Sequence, residues 1–171
     1  MSINSLATIP RLYHFTDVRN LDSIRKCGGL YPYAELIRMK VKIPAPGGNQ
    51  WSWDADASKG MGRYVHLCFL SNHPMEYTAK KDGRISETIF LDIDPAVLKL
   101  AGVMFSPGVS NKSDVDSVLI SKAEIDYDVL YTYMDWRSDP AIYERRKHAE
   151  KCEVLVPGFI PLKMIRNMPN G

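Results

Sequence analysis

The chain has 171 residues, 45% of them apolar and 25% charged, with a formal net charge of +2. That is enough for one domain with a real core and too little for two comfortable ones. The ordinary composition excludes a disordered or fibrous chain, and the near-neutral charge excludes polyanion binding by the surface as a whole, so such a partner must meet a local patch.

In chain order, residues 11–15 ("RLYHF") are predicted as a first strand. Thr16 follows as the N-cap of a helix whose inner face carries Val18, Leu21 and Ile24. Gly28 and Gly29 end that helix. A short second helix is predicted over 33–40. Residues 42–62, "KIPAPGGNQWSWDADASKGMG", are rich in Pro, Gly, Asn and Ser and form a long loop, and loops of that length inside a domain are usually functional. "RYVHLCFL" (63–70) and "TIFLDID" (88–94) are predicted strands, with "PAVLKL" a helical turn after the second. "SVLIS" and "DVLYTYM" are further predicted strands. "DPAIYERRKHAEK" (139–151) starts a helix with Asp139 as cap and Pro140 in the first turn. "CEVLVP" (152–157) is a last strand closed by Pro157. No strand–helix–strand rhythm repeats, which favours α+β over a doubly wound sheet.

Several function classes lack their signatures. Cys27, Cys68 and Cys152 form no framework of pairs, which points to a reducing cytoplasm. The opening "MSINSLATIP" lacks the basic start and apolar centre of a signal peptide, and no apolar run reaches membrane-spanning length. There is no Walker loop, GxGxxG, GxSxG or zinc deaminase signature. His66, Cys68 and His73 lie close in sequence but outside any CxxC or HExxH, and no metal is expected.

Taken singly, the polar residues of interest are ordinary. A histidine such as His14 near a strand end is commonly satisfied within a core, and a glutamate opening an apolar strand, such as Glu153, is commonly a solvated strand end. Trp51 and Trp53 in the long loop, and Trp136 and Arg137 ahead of the helix that carries Arg145, Arg146 and Lys147, are a solvated face or an aromatic and cationic surface for a single strand.

In combination they are specific. "YHFTDVRNLDSI", "RYVHLCFLSNHPM" and "AEKCEVLVP" occur in an order and spacing that resembles the DarT-type DNA ADP-ribosyltransferase toxins. The resemblance implies a single ADP-ribosyltransferase domain over residues 1–171, a compact α+β fold with a mixed central β core and flanking short helices. It implies NAD as the ADP-ribose donor, a base of single-stranded DNA as the acceptor, and a macrodomain antitoxin that reverses the mark. It assigns Glu153 to catalysis with a basic partner, Lys59 first and Arg63 second. It places His14, Thr16, Asn20, Leu21, Tyr64, His66 and Phe69 on the cofactor side, and Trp136, Arg137, Arg145, Arg146 and Lys147 on the DNA side. The family strand more commonly reads Tyr-Val-Pro-Phe-Tyr-Phe, whereas here His66 stands for the proline and Cys68 for a tyrosine. Those two changes favour guanine over thymine as the target. The alternatives are a transferase acting on RNA or protein, and a non-catalytic nucleotide-binding domain. A nuclease ranks last for want of an acidic metal cluster.

The chemistry suits these residues. As nicotinamide leaves, positive charge develops at C1 of its ribose, and a carboxylate beside that ribose stabilises it and holds the 2′-hydroxyl.

Overall fold

The computed structural model describes residues 9–46, 61–107 and 124–170. Its first strand, β1 (Leu12–Asp17), runs past the predicted end and takes Thr16 with it. Thr16 is therefore not the helix cap. Asp17 is: its carboxylate accepts the Arg19 backbone N–H at 2.8 Å and also that of Ser86 at 2.8 Å. A β-branched threonine suits the strand, and an aspartate with two acceptor oxygens turns the chain while tying it to the lead-in of a later strand. One 3-10 turn (Val18–Asn20) leads into α1 (Leu21–Cys27). Gly28 ends α1 in the left-handed conformation, φ 78°. At Gly29 a Cβ would lie 2.1 Å from the Ile160 carbonyl oxygen. Only glycine therefore lets β2 (Gly29–Leu30) pair with β7 (Ile160–Pro161).

The predicted second helix is α2 (Tyr33–Arg38), and the predicted strands at 63–70 and 88–94 are β3 (Tyr64–Cys68) and β4 (Thr88–Ile93). Between them lies α3 (Pro74–Lys81), a helix not among the predicted elements. His73 caps it and Pro74 occupies its first turn, a recognisable helix start. A 3-10 turn (Pro95–Lys99) precedes a short unpredicted strand, β5 (Met104–Ser106). The "DVLYTYM" segment is not a strand but begins as a helix, α4 (Tyr127–Tyr131). Its β-branched and aromatic residues favour a strand locally, yet the Asp126 side chain caps the Val129 N–H at 3.2 Å, and the turn buries Tyr127, Val129 and Leu130 together. The predicted late helix and strand are α5 (Pro140–Ala149) and β6 (Glu153–Pro157). "SVLIS" and most of the long loop, with Trp51, Trp53 and Lys59, lie outside the described residues.

The main sheet is antiparallel, in the order β4-β1-β3-β6-β5. Strand alternation divides its faces. Val65 and Leu67 of β3, Phe105 of β5, and Val154 and Val156 of β6 enter the main hydrophobic core. Their neighbours Tyr64, His66, Cys68, Ser106, Glu153 and Leu155 therefore share the other face, where Tyr64 packs on Leu155. Glu153 and His66 stand on this second, more polar face together with Tyr13 of β1, whereas His14, registered opposite Leu91, alternates onto the core side of the strand.

β1 and β3 are joined by a single registered pair, Tyr13 with Cys68. Continuing that register would set Phe15 against His66, but the ladder stops there. In its place His14 Nδ1 lies 3.1 Å from the His66 carbonyl oxygen. The two strands part at this seam, bridged by an imidazole.

Candidate active site

Glu153 opens β6, buried at 4% relative exposure. Its Oε2 lies 2.9 Å from His66 Nδ1, and its Oε1 lies 3.6 Å from His73 Nε2. With His14 on the His66 carbonyl, three of the chain's four histidines converge on one carboxylate and its neighbouring strand. Glu153 is thus not the solvated strand end that its position alone implied.

The hydrogen bonds assign the ring tautomers. The His66 carbonyl can only accept, so His14 Nδ1 carries the proton and donates. Burial lowers the His14 pKa, ahead of the opposing bond to the His66 backbone, so the ring is neutral and Nε2 is an acceptor. His14 Nε2 can therefore accept a hydrogen bond from a donor such as a hydroxyl. His73 Nδ1 accepts the Met75 backbone N–H at 3.3 Å, so its Nε2 carries the proton toward Glu153. Burial lowers the His73 pKa although the Glu153 charge opposes it. A neutral, 2%-exposed ring, held by a helix start and stacked on Phe15 at 5.9 Å, steadies the carboxylate without neutralising it. Sequence reasoning missed His73 as a site residue, although a histidine directly before a proline at a helix start was visible.

The two thiols near the carboxylate are not nucleophiles at neutral pH. Burial, reinforced by Glu153, pushes the Cys68 thiol well up and the Cys152 thiol up to about 11.

The remaining sequence-assigned residues divide. Asn20 is buried, and its amide is fully engaged: Nδ2 donates to Thr16 Oγ1 at 2.9 Å and to the Ala45 carbonyl at 2.7 Å, while Oδ1 accepts the Ala45 N–H at 2.8 Å. Thr16 and Asn20 thus clasp the chain at Ala45. Leu21 and Phe69 belong to the main core, with Phe69 edge-on to Tyr127. Tyr64 is buried on the site's face. Arg63 is exposed directly before β3, with its guanidinium 5.3 Å from the Tyr64 ring centroid. Lys59 lies outside the described residues.

On the expected DNA side, Trp136 is a surface ring stacked on Tyr143 at 6.1 Å, not a core residue. Arg137 and Arg146 lie over Trp136, and Lys147 lies over Tyr143. This is an aromatic and cationic platform of the kind single strands use. Arg145 does not join it: both its Nε and Nη2 bind the Asp126 carboxylate, at 2.7 and 3.0 Å, bracing α4 against α5.

The family model for the single-stranded-DNA thymidine ADP-ribosyltransferase DarT matches residues 13–168. The chain belongs to the DarT family. Its fold is similar to that of Thermosipho africanus DarTG in complex with ADP-ribose, with TM-score 0.63 and 17% identity over 91% of this chain and 42% of that one. It is similar as well to Thermus sp. 2.9 DarT in complex with NAD+, with TM-score 0.56 and 20% identity over 92% of this chain and 80% of that one. The Thermus DarT complex with ADP-ribosylated single-stranded DNA gives TM-score 0.55 and 19% identity over 91% and 78%. The chain therefore spans less than half the length of the Thermosipho protein. A sequence comparison with curated proteins finds no match. The expected α+β fold of the DarT enzymes is the observed one. Among the described residues, no group of His, Cys, Asp and Glu is arranged to hold a metal, and no helix is long and apolar enough to cross a membrane.

Proposed function

We propose that the chain is an NAD-dependent transferase that moves ADP-ribose onto a base of single-stranded DNA and releases nicotinamide. The observation that carries this reading is the buried Glu153 carboxylate, held between the His66 and His73 rings at the start of β6. NAD supplies the electrophile, C1 of the nicotinamide ribose. Glu153 stabilises the positive charge that grows there as the glycosidic electron pair departs with nicotinamide. The base's ring nitrogen forms the new bond to C1 and releases its proton to solvent. His14 Nε2 accepts from a ribose hydroxyl, and Lys59 is the proposed basic partner.

For the base, thymidine replaces the guanine expected from His66 and Cys68, because thymidine is what the matched family is named for. A macrodomain partner that removes the mark is part of the same proposal. The Thermosipho relative is a DarTG protein, of which this chain spans 42%. Mass spectrometry of short oligonucleotides after incubation with NAD and the protein tests the activity and identifies the base. An ADP-ribose mass addition on RNA or protein but not on DNA would overturn the substrate assignment.

Two further results are expected. Single strands should be modified far faster than the same sequence in a perfect duplex. Extruding a paired base costs a few kcal/mol, and the near-neutral chain offers little general duplex attraction to offset it. Equal rates on both forms would contradict this. His14→Ala should raise the Kd for NAD about tenfold or more, corresponding to the loss of one hydrogen bond of ~1.5 kcal/mol. Calorimetric titration checks it, and unchanged affinity with a lower melting temperature would make His14 only a brace for the β1–β3 seam.

A further inference from the structure

One row of registered residues crosses the polar face of the sheet: Asp92, Tyr13, Cys68, Glu153 and Ser106. Neighbouring strands lie ~4.8 Å apart, so Tyr13 stands about 10 Å from Glu153 along that row. Beside Tyr13 opens a groove of about 510 Å³, a volume within the range of small-ligand sites. Arg11, Tyr13, Ser71, Asn72, Tyr131 and Arg146 are among the residues that line it. Asn72 directly precedes His73, so one wall continues into the residue that steadies Glu153.

The Tyr131 hydroxyl is the odd feature. Its oxygen is buried, yet among the described residues it has no hydrogen-bond partner. A buried hydroxyl left unmatched is costly, which makes it a donor awaiting an acceptor. Burial, with Tyr127, Tyr13 and Cys68 adding, pushes its pKa up, so it keeps its proton at any physiological pH. Two guanidinium groups share the groove. Arg11 is largely exposed and reaches Asp92 only at 3.5 Å. Arg146 also lies over Trp136, so the groove runs on into the Trp136–Tyr143 platform.

We propose that this groove holds the nucleotide next to the modified one, its base against Tyr13 and Tyr131 and the Asn72 amide, its phosphate near Arg11 and Arg146. The proposal rests on the transferase reading above. Cations with aromatic rings and a side-chain amide form the chemistry that grips one unit of a single strand. NAD also carries phosphates and a base, and the shared chemistry leaves it as the other source. The strand is favoured because the surface continues past the groove onto a second aromatic stack, which suits a chain that goes on.

The test compares wild type with Arg11→Ala, Asn72→Ala and Tyr131→Phe, singly and combined. Arg11 and Asn72 are exposed and Tyr131→Phe keeps the ring, and melting curves verify that each variant folds. In steady-state assays the combined variant should raise KM for a single-stranded oligonucleotide about fivefold or more, the effect of losing one stacked and hydrogen-bonded base, while KM for NAD stays near wild type. Fluorescence anisotropy of a labelled oligonucleotide without NAD should show the same loss of affinity. If strand KM and anisotropy are unchanged while wild type modifies DNA, the groove proposal is overturned and the transferase reading stands. A rise in KM for NAD alone would hand the groove to the dinucleotide and overturn it likewise. If wild type neither releases nicotinamide nor binds or modifies any oligonucleotide, the transferase reading itself fails.

Discussion

Glu153→Gln is expected to lower ADP-ribose transfer by about three orders of magnitude or more, equivalent to ~4 kcal/mol of barrier. The carboxylate is the one buried anion on the polar face of β3 and β6 among the described residues, and it stands between two imidazoles. Glutamine keeps its shape and its place in the ladder opposite Cys68 but cannot balance a positive charge growing on a ribose. It is a better test than alanine. Because Glu153 is buried, truncation would leave a void and strip the His66 and His73 rings of their partner, mixing lost stability with lost chemistry. Nicotinamide release and oligonucleotide mass should fall together, with the melting temperature near that of wild type. A folded glutamine variant with transfer within tenfold of wild type would remove Glu153 from the catalytic role. His73→Ala should act in the same direction and less strongly, since it loosens the carboxylate without removing its charge.

The largest effect on stability is expected at Asp17. Its side chain is completely buried, whereas its partner Arg19 is half exposed. It accepts backbone N–H groups from Arg19 and Ser86, each at 2.8 Å, and from Glu87 at 3.4 Å, as well as the Arg19 guanidinium at 2.9 and 3.0 Å. Asp17→Ala leaves several of those donors unmatched inside the fold and should cost about 3–5 kcal/mol, measured by urea unfolding at neutral pH. The same residue sets an acid limit. The Arg19 side chain, with help from the three backbone donors and against burial, holds the Asp17 carboxyl well below the usual carboxylate range. A carboxyl whose pKa is depressed by folding stabilises fully above its unfolded value of about 4, and that contribution is lost as pH falls toward the folded value. Wild type should therefore lose stability steeply below pH ~4. The Asp17→Asn variant should start lower and show a flatter profile there, and parallel pH profiles for the two would contradict this assignment. Asp17 ends the strand that carries His14, so the variant should also bind NAD less well.

The sequence by itself determined the elements whose signals are local. The apolar runs of β3, β4 and β6 announce strands because burial on one or both faces demands it. Asp139 and Pro140 announce α5 because a cap and a prolyl first turn satisfy a helix start within a few residues. His14 and Glu153 were legible as a pair through motifs in order, and Trp136 with its neighbouring cations as a surface in waiting. Only the tertiary structure decided which way those residues serve. Asn20 is a clasp because Ala45, distant in sequence, offers it both a carbonyl and an N–H. Arg145 is a brace because α4 brings Asp126 to it. "DVLYTYM" coils because its apolar residues meet one core on one side, an outcome that β propensity does not contain. Above all, the histidine tautomers and the burial of Glu153 depend on strand register and on where α3 begins. Register arises from pairing between distant segments, and a side chain's charge and proton positions follow from what those segments place around it.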